Sequence, residues 1–315
     1  GFAKLLPMHE SNLSRSLLSV YSPNEVGLAV LGWPVSHSIS PFLHNAALEK
    51  LSLVDSNFKN WRYEKLQVPA EDLSSILPQM AKCGYRGMNL TIPHKVRVLP
   101  YLSEVTKEAQ VMGAVNTLVK VKDGWMGYNT DGYGLQRALE STFKIYLREH
   151  VVLILGAGGA ARAAAAKCLS VGCEQVWISN RSRDRMNALV SDLSEEFPSS
   201  SLKSFQIDRF PNSLYDVSNL IIINATSLGL HESDASPLNF PFSNFNIEAK
   251  AFDMIYNPAE TEFLRKAKEA GMEFSNGLSM LVFQALRSLE IWTGREISEK
   301  AMFEGARKGM NSNLN

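Results

Sequence analysis

The sequence has few cysteines, no long apolar run and no excess of charge of either sign. Its three cysteines, Cys83, Cys168 and Cys173, form no CxxC pair and cannot all be joined to one another. This argues against a secreted, disulfide-stabilised protein and favours a reducing compartment, the cytoplasm. The longest apolar runs, such as residues 151–155 and 220–223, are far shorter than the roughly 20 residues that cross a bilayer.

The balance of charge and the lack of other motifs exclude several function classes. Lys+Arg and Asp+Glu both number 32, so we expect no general attraction to nucleic acids or membranes. No set of His, Cys and carboxylate residues has the spacing of a metal site, and the GxSxG motif of many hydrolases is absent. At 315 residues the chain is about twice the length of a usual domain, so two domains are expected.

Apolar periodicity predicts strands and helices in alternation, which is typical of an α/β protein. In the first part we expect strands at 27–31 and 87–91, helices at 40–51 (with Ser40 as N-cap) and 71–83, and a hairpin of 115–121 and 125–128 that turns at Asp123-Gly124. In the second part we expect strands at 151–155, 175–179 and 220–224, helices at 131–143, 183–197 and 278–292, and a surface loop at 233–246. The second part therefore reads as a doubly wound sheet.

A glycine-rich turn, Gly156-Ala157-Gly158-Gly159-Ala160-Ala161, follows the apolar strand at 151–155 and opens an alanine-rich helix. Glycines allow the backbone to approach a pyrophosphate, and the free N–H groups of the helix start favour its negative charge. Ala161 replaces the usual third glycine and still permits close packing. The strand, turn and helix together predict dinucleotide binding, although a plain structural turn is the alternative.

The type of dinucleotide depends on the end of the next strand, where an NAD enzyme places an acidic residue on the ribose. This chain has Asn180-Arg181-Ser182-Arg183-Asp184-Arg185 there. Guanidinium groups suit the 2′-phosphate of NADP, so we predict NADP, with Arg181 and Arg185 as its partners. Arg183 is expected to face water, and a solvated basic loop is the alternative reading of the segment.

Four polar groups precede the glycine-rich turn, each at the end of a predicted strand or the start of a predicted helix. Taken singly, each residue has a structural explanation as a helix cap, a turn former or a surface lysine. Such density in a first domain is unusual. The groups are Ser38 with Ser40, Asn89 with Thr91 and Lys95, Asn116 with Thr117, and Asn129 with Asp131.

In this order the groups resemble motifs of the shikimate dehydrogenase family. The family's SxS, NVTxPxK, AxNT and GxNTDG motifs are similar to residues 37–41, 89–95, 114–117 and 127–132, and its NATS, DxxYxPxxT and GxxMLxxQ motifs to 224–227, 253–261 and 277–284. The resemblance covers roughly residues 27–293. One departure is Leu90, which stands where Val is common and should leave Lys95 in place.

The resemblance implies an α/β enzyme of two lobes. An N-terminal α/β substrate domain would comprise residues 25–130 and 277–315, and a Rossmann-type NADP-binding domain residues 131–276. The C-terminal helices would return to the first lobe, and residues 1–24 would be an N-terminal extension. The implied activity is reversible NADPH-dependent reduction of 3-dehydroshikimate to shikimate, an oxidoreductase step in chorismate and aromatic amino acid biosynthesis.

The resemblance also implies roles for single residues. Lys95 would be the acid and base, and Asp131 would orient it and the substrate. The substrate carboxylate would bind Ser38 and Ser40, and its hydroxyls would contact Asn89, Thr91, Asn116, Tyr256 and Gln284. The cofactor would bind Gly156, Ala157, Gly158, Gly159, Ala160, Asn180, Arg181, Ser182, Arg185, Thr226, Ser227 and Gly277.

Two alternatives remain open from the sequence. A quinate dehydrogenase, or one that uses both quinate and shikimate, shares the scaffold and differs in accepting one more hydroxyl, which is a weak basis for discrimination. A non-catalytic sensor would keep the fold without turnover, although the intact Lys95 and Asp131 speak against it. The only partners expected are small molecules, with neither nucleic acid nor membrane, and both a monomer and a homodimer suit the size. We expect no direct chemical role for His94.

Overall fold

A computed structural model describes residues 2–4 and 15–313 of the chain. These residues divide into two compact units: the first runs up to Thr130 and resumes at Gln284, and the second is Asp131–Phe283. The family resemblance predicts the second boundary at residue 277, before the long helix. The division instead falls within that helix. In the described part of the chain, no helix is both long and apolar enough to span a membrane.

The first unit is built on a six-stranded mixed sheet with the order β4-β3-β5-β7-β8-β6. Its strands are β3 (Val26–Gly32), β4 (Trp61–Gln67), β5 (Tyr85–Leu90), β6 (Glu104–Val105), β7 (Thr117–Val121) and β8 (Gly124–Tyr128), and β1 (Phe2–Lys4) pairs with β2 (Leu17–Ser19) in a separate ribbon. Its helices are α1 (Ser40–Ser52), α2 (Leu73–Lys82), α3 (His94–Arg97), α4 (Lys107–Met112) and, at the C-terminus, α10 (Glu299–Ser312).

The pairing of these strands gathers the predicted substrate motifs at one edge of the first sheet. Strand β3 is parallel to β5, and β5 is antiparallel to β7. The start of β7 and the end of β8 therefore lie at the carboxyl end of β5. Strand β3 is buried along nearly its whole length, because helices and β2 cover it; such strands read as continuous apolar runs.

Two local predictions in the first unit are wrong. Ser40 is not the helix N-cap: Ile39 holds that position, no side chain caps the helix, and Ser40 is its first residue. The hairpin does not turn at Asp123-Gly124, because Val121 pairs with Gly124 and leaves Lys122 and Asp123 as the two turn residues. Gly124 still supplies a positive φ of 151°, but as the first residue of β8.

The proposed N-terminal extension, residues 1–24, is in part integral to the first unit. Leu18 of β2 is fully buried in its core. Tyr21 packs against Gly27 so closely that a Cβ there would lie 2.2 Å from the tyrosine ring. Residues 1 and 5–14 of this segment lie outside the described residues.

The second unit is a doubly wound parallel sheet, which confirms the predicted fold class. The strand order is β11-β10-β9-β12-β13-β14, and all pairs are parallel. The strands are β9 (Val151–Leu155), β10 (Gln175–Asn180), β11 (Leu202–Gln206), β12 (Leu220–Asn224), β13 (Lys250–Asp253) and β14 (Glu273–Ser275). The helices are α5 (Asp131–Phe143), α6 (Gly159–Val171), α7 (Arg183–Glu196), α8 (Glu262–Glu269) and α9 (Leu278–Thr293), which ends in the first unit.

Two segments differ from the sequence prediction because of long-range packing. Residues 233–246 are not simply a surface loop: Leu238, Phe242 and Phe245 are at most 5% exposed and lie in the core of the second unit. Beyond the predicted helix at 278–292, the chain forms a further helix, α10, for which the periodicity gave no bounds. A Cβ on Gly305 of α10 would lie 2.4 Å from a backbone oxygen of α1, so its glycines, which weaken a helix, are what allow the two helices to pack closely.

Candidate active site

The glycine-rich turn follows β9 at the carboxyl edge of the second sheet. Gly156 has a φ of 121°, a conformation that favours glycine. Its N–H donates to the carbonyl of Ser179 at 2.8 Å. A Cβ at this position would lie 2.9 Å from the carbonyl oxygen of Ala225. The turn is therefore held between the strands on either side of β9, and Gly156 is required by geometry.

The start of helix α6 is open and suited to an anion. Gly158 is its N-cap and provides no side-chain acceptor for the first N–H groups. A Cβ on Gly158 or Gly159 would meet no atom within 4 Å, and Ala160 is exposed. Ala161, by contrast, is fully buried and packs the helix on the sheet. Uncapped N–H groups beside free space fit a pyrophosphate, as the sequence predicts for residues 156–160.

The basic segment follows β10, which neighbours β9. The amide nitrogen of Asn180 donates to the carbonyl of Ser182 at 3.1 Å, and the hydroxyl of Ser182 caps helix α7 by accepting from the N–H of Arg185 at 3.4 Å. Arg181, Arg183 and Arg185 all have side chains that reach solvent. The arginines thus follow the strand next to β9, which is where a doubly wound fold binds the ribose of a dinucleotide.

On the other side of β9, the ends of β12 and β13 carry the remaining predicted cofactor residues. Thr226 is half-buried and Ser227 is exposed in the loop after β12. Gly277 is buried against the segment after β13, where a Cβ would lie 2.1 Å from the carbonyl oxygen of Met254. Tyr256 lies in that same segment, and burial raises the pKa of its phenol.

In the first unit, the predicted carboxylate-binding serines lie where α1 begins: Ser38 precedes the helix and Ser40 is its first residue. Ser40 is 8% exposed, whereas Ser38 is more open to solvent. The N–H of Ser40 donates to the hydroxyl oxygen of Ser38 at 3.3 Å. The two serines are thus adjacent at the uncapped start of a helix. Neutral hydroxyl and N–H donors of this kind can bind a carboxylate without adding a charge.

Asn89 and Asn116 lie in one buried polar network with Ser288 of α9. The Asn89 amide nitrogen lies 3.0 Å from the Ser288 hydroxyl and 3.1 Å from that of Thr117, and its amide oxygen accepts from Tyr63 at 2.8 Å. The Asn116 amide nitrogen donates to the Thr130 hydroxyl at 2.8 Å and to the Gln284 amide oxygen at 3.3 Å. The structure therefore brings together three predicted substrate residues from three parts of the chain.

Thr91 and Lys95 occupy the segment after β5. The N–H of Thr91 donates to the carbonyl of Leu31 at 3.0 Å, which places Thr91 beside β3. Lys95 is half-buried in α3, and its carbonyl accepts from the N–H of Val115 at 2.9 Å. This bond fixes the Lys95 backbone next to the Asn116 segment. The second predicted catalytic residue, Asp131, is the first residue of α5 in the second unit.

His94 has a structural position, as expected for a residue without a direct chemical role. It is fully buried, and its Nε2 lies 2.8 Å from the carbonyl oxygen of Val68. Burial lowers the pKa of its ring. A neutral imidazole that contacts a backbone carbonyl anchors α3 to the rest of the first unit.

Comparison with known proteins identifies the family. The sequence matches the shikimate dehydrogenase substrate binding domain over residues 30–118, the shikimate/quinate 5-dehydrogenase domain over 138–227 and the shikimate 5′-dehydrogenase C-terminal domain over 277–302. It is 40% identical to a shikimate dehydrogenase (NADP(+)) of Geobacter metallireducens over 270 residues, which are 85% of this chain and 91% of the relative. The chain belongs to the shikimate dehydrogenase family.

Solved structures of the shikimate dehydrogenase family share the fold. The shikimate 5-dehydrogenase of Thermus thermophilus, in complex with NADP(H) and shikimate, is 38% identical with a TM-score of 0.77, and the match covers 90% of this chain and 99% of that one. A quinate dehydrogenase of Corynebacterium glutamicum, in complex with NAD, has a TM-score of 0.78 but is 26% identical, over 89% of this chain and 98% of that one. Fold alone thus does not separate the two activities, whereas sequence identity favours the first.

Two residues of the network escaped the sequence analysis of this family member. Ser288 contacts Asn89, Thr117 and Thr130, yet it lies outside every motif in an apolar helix. Tyr63 reads as one buried position of the alternating strand β4. The sequence around either residue gives no sign of its role, because the shared partner Asn89 lies 26 residues from Tyr63 and 199 residues from Ser288.

Proposed function

We propose that this protein catalyses the reversible, NADPH-dependent reduction of 3-dehydroshikimate to shikimate. The observation that carries the proposal is the buried network of Asn89, Asn116 and Gln284 beside the Lys95 segment, in a chain that is 40% identical to a shikimate dehydrogenase (NADP(+)). Amide groups held in fixed orientation suit a substrate that carries several hydroxyls, because each amide offers both a donor and an acceptor.

The proposed chemistry is a proton transfer matched to a hydride transfer. Bound NADPH supplies the hydride. Lys95 donates a proton to the ketone oxygen as negative charge develops there, and in the reverse direction its amine accepts the proton of the hydroxyl. Asp131 accepts hydrogen bonds and orients the reacting groups without being the main proton carrier. General acid–base help of this kind is worth about 10² to 10⁴ in rate.

The remaining predicted residues bind and orient the substrate and the cofactor. Ser38 and Ser40 hold the substrate carboxylate through neutral donors. Its hydroxyls contact Asn89, Thr91, Asn116, Tyr256 and Gln284. On the second unit, residues 156–160 hold the pyrophosphate, Asn180, Arg181, Ser182 and Arg185 hold the ribose phosphate, and Thr226, Ser227 and Gly277 border the nicotinamide half. The exposed Arg181 and Arg185 side chains support NADP over NAD.

We further propose that the protein acts in the cytoplasm as a monomer or homodimer. Three free cysteines among the described residues fit a reducing compartment. Mass measurement by light scattering of the purified protein would distinguish the two oligomeric states, and a mass above that of a dimer would contradict both.

The test of substrate and cofactor is the initial rate of reduction of NADP⁺ and of NAD⁺, each with shikimate and with quinate. Of the four pairs, we expect fast turnover only with shikimate and NADP⁺. Faster turnover with quinate would assign the protein to the alternative activity, and no turnover with any pair would indicate a sensor. Lys59→Ala, which changes an exposed lysine of the first unit, is a control that should keep the wild-type rates.

A further inference from the structure

A buried carboxylate in the second unit has no role in the chemistry proposed above. Asp253 ends strand β13 and is fully buried. Its carboxylate accepts from the Thr261 hydroxyl at 2.6 Å, from the N–H of Ile255 at 2.9 Å and from the Asn224 amide nitrogen at 3.2 Å. Burial raises the pKa of this carboxyl. Burying a charge costs free energy, and the hydrogen bonds from these neutral donors offset part of that cost.

The acceptors of Asp253 fix the orientation of Asn224. A carboxylate only accepts, so the amide of Asn224 must turn its NH₂ group toward it. The same NH₂ group donates to the carbonyl of Leu228 at 3.0 Å. The amide oxygen of Asn224 then faces Thr226, from which it accepts the N–H at 3.1 Å and the hydroxyl at 2.7 Å. The Thr226 hydroxyl in turn accepts from the N–H of Leu228 at 3.1 Å.

One chain of hydrogen bonds therefore runs from Asp253 through Asn224 to Thr226 and Leu228 in the loop at residues 225–228. That loop borders the glycine-rich turn, since the N–H of Ala225 donates to the carbonyl of Leu155 at 2.9 Å. It lies on the β12 side of β9, whereas Arg181 lies on the β10 side. In a doubly wound fold the pyrophosphate sits at the helix start after the first strand and the adenosine lies toward the second. The loop is thus on the nicotinamide side.

We infer that Asp253 is a positioning residue for the nicotinamide half of NADP, acting through Asn224 on the loop at residues 225–228. This inference rests on the proposed function, because it assumes that the glycine-rich turn binds NADP. It assigns no chemical step to Asp253. The predicted consequence is selective: weakening the chain of hydrogen bonds should loosen the nicotinamide half of the cofactor and leave the adenosine half held as before.

Calorimetric titration with two ligands separates these halves. NADP⁺ contacts both sides of β9, whereas 2′,5′-ADP carries the phosphorylated adenosine without nicotinamide. Asp253→Asn places an NH₂ group where an acceptor is needed, and Asn224→Ala removes the next link. Each should raise the Kd for NADP⁺ about 10-fold or more and leave the Kd for 2′,5′-ADP within about 2-fold of wild type. The double variant should lose no more than either single variant, because both act on one chain.

Thr261→Ser is the matched control, since it keeps the hydroxyl that donates to Asp253 and should bind NADP⁺ like wild type. Equal weakening of both ligands would mean general damage to the second unit and would overturn the inference, as would unchanged NADP⁺ affinity in both variants. If Asp253→Asn fails to fold, the Kd values of Asn224→Ala for NADP⁺ and 2′,5′-ADP test the inference in the same way. Wild-type protein that binds neither ligand would refute the proposed function itself and the inference with it.

Discussion

Replacing Ser288 by alanine tests whether the buried network of the first unit sets the affinity for substrate. The Ser288 hydroxyl lies 2.8 Å from Thr117, 3.0 Å from Asn89 and 3.2 Å from Thr130, and it donates to the Gln284 carbonyl at 3.1 Å. Alanine removes all four contacts at once, and no water can replace a fully buried hydroxyl without a cavity large enough to hold it.

The expected loss can be worked from the partners that remain. The Asn89 amide nitrogen keeps the Asn116 carbonyl at 3.2 Å and Thr117 at 3.1 Å, and Thr130 keeps the Asn116 amide. No group is fully orphaned, so the cost should lie at the low end for a buried polar deletion, about 1–2 kcal/mol. The melting temperature should fall by about 2–8 °C. The KM for shikimate should rise by up to about 10-fold, the loss of about one hydrogen bond, because the Asn89 and Asn116 amides lose part of their fixed orientation, and the Kd for NADP⁺ should be unchanged.

Thr293→Ala is the matched control for Ser288→Ala. Its hydroxyl donates to the carbonyl of Leu289 at 2.7 Å, the same bond to the preceding turn of α9, but it is outside the network. It should alter stability by about 1 kcal/mol or less and leave the KM for shikimate unchanged. A wild-type KM for shikimate in Ser288→Ala, or an equal rise of that KM in both variants, would contradict a role of the buried network in substrate affinity.

Three further predictions concern the glycine-rich turn, the basic segment after β10 and the buried His44. Gly156→Ala should cost about 1–2 kcal/mol from its positive φ and weaken NADP⁺ binding in titrations; wild-type affinity would contradict the close approach. Arg181→Ala with Arg185→Ala should raise the KM for NADP⁺ about 10- to 100-fold without changing that for NAD⁺, and an equal change for both would remove the phosphate assignment. Burial lowers the pKa of His44 to about 3. As the pH falls below about 6.5, this histidine therefore takes up a proton in the unfolded chain but not in the folded one. Acid should thus lower the free energy of unfolding by up to about 1.4 kcal/mol per pH unit. In urea unfolding from pH 7 to 5, His44→Phe should reduce this dependence and the exposed His37→Ala should not; an unchanged slope in His44→Phe would contradict the assignment.

The sequence predicted the elements whose signal is local. The run of β9 and the glycines after it define a strand, a turn and a helix within one short stretch of chain, and the helix α5 begins and ends where its apolar spacing predicts. The bounds of helix α10 were not predicted from the periodicity, because its glycines lower helix propensity and are explained only by close packing against α1. The burial of Phe242 depends likewise on a core that the local sequence does not reveal.

In the candidate site, too, some residues have a local sequence signal and others depend on contacts between distant parts of the chain. The motif residues could be named from the sequence because their order resembles a known family, and the geometry now joins Asn89, Asn116 and Gln284 in one network. Ser288 lies outside every motif and contacts Asn89, and Asp253 belongs to one motif but contacts Asn224 of another. Neither a serine in an apolar helix nor a motif aspartate at a strand end indicates its partner, which lies 199 and 29 residues away in the two cases; these contacts could be found only in the folded structure.

The most direct test of the account is the rate of NADP⁺ reduction by shikimate in wild type and in Lys95→Ala. If Lys95 transfers the proton, kcat should fall about 10² to 10⁴-fold. The KM for shikimate should change little, since the proposed substrate contacts of Ser38, Ser40 and the amide network would remain. A variant that retains near wild-type kcat would contradict the assignment of Lys95 and with it the proposed mechanism.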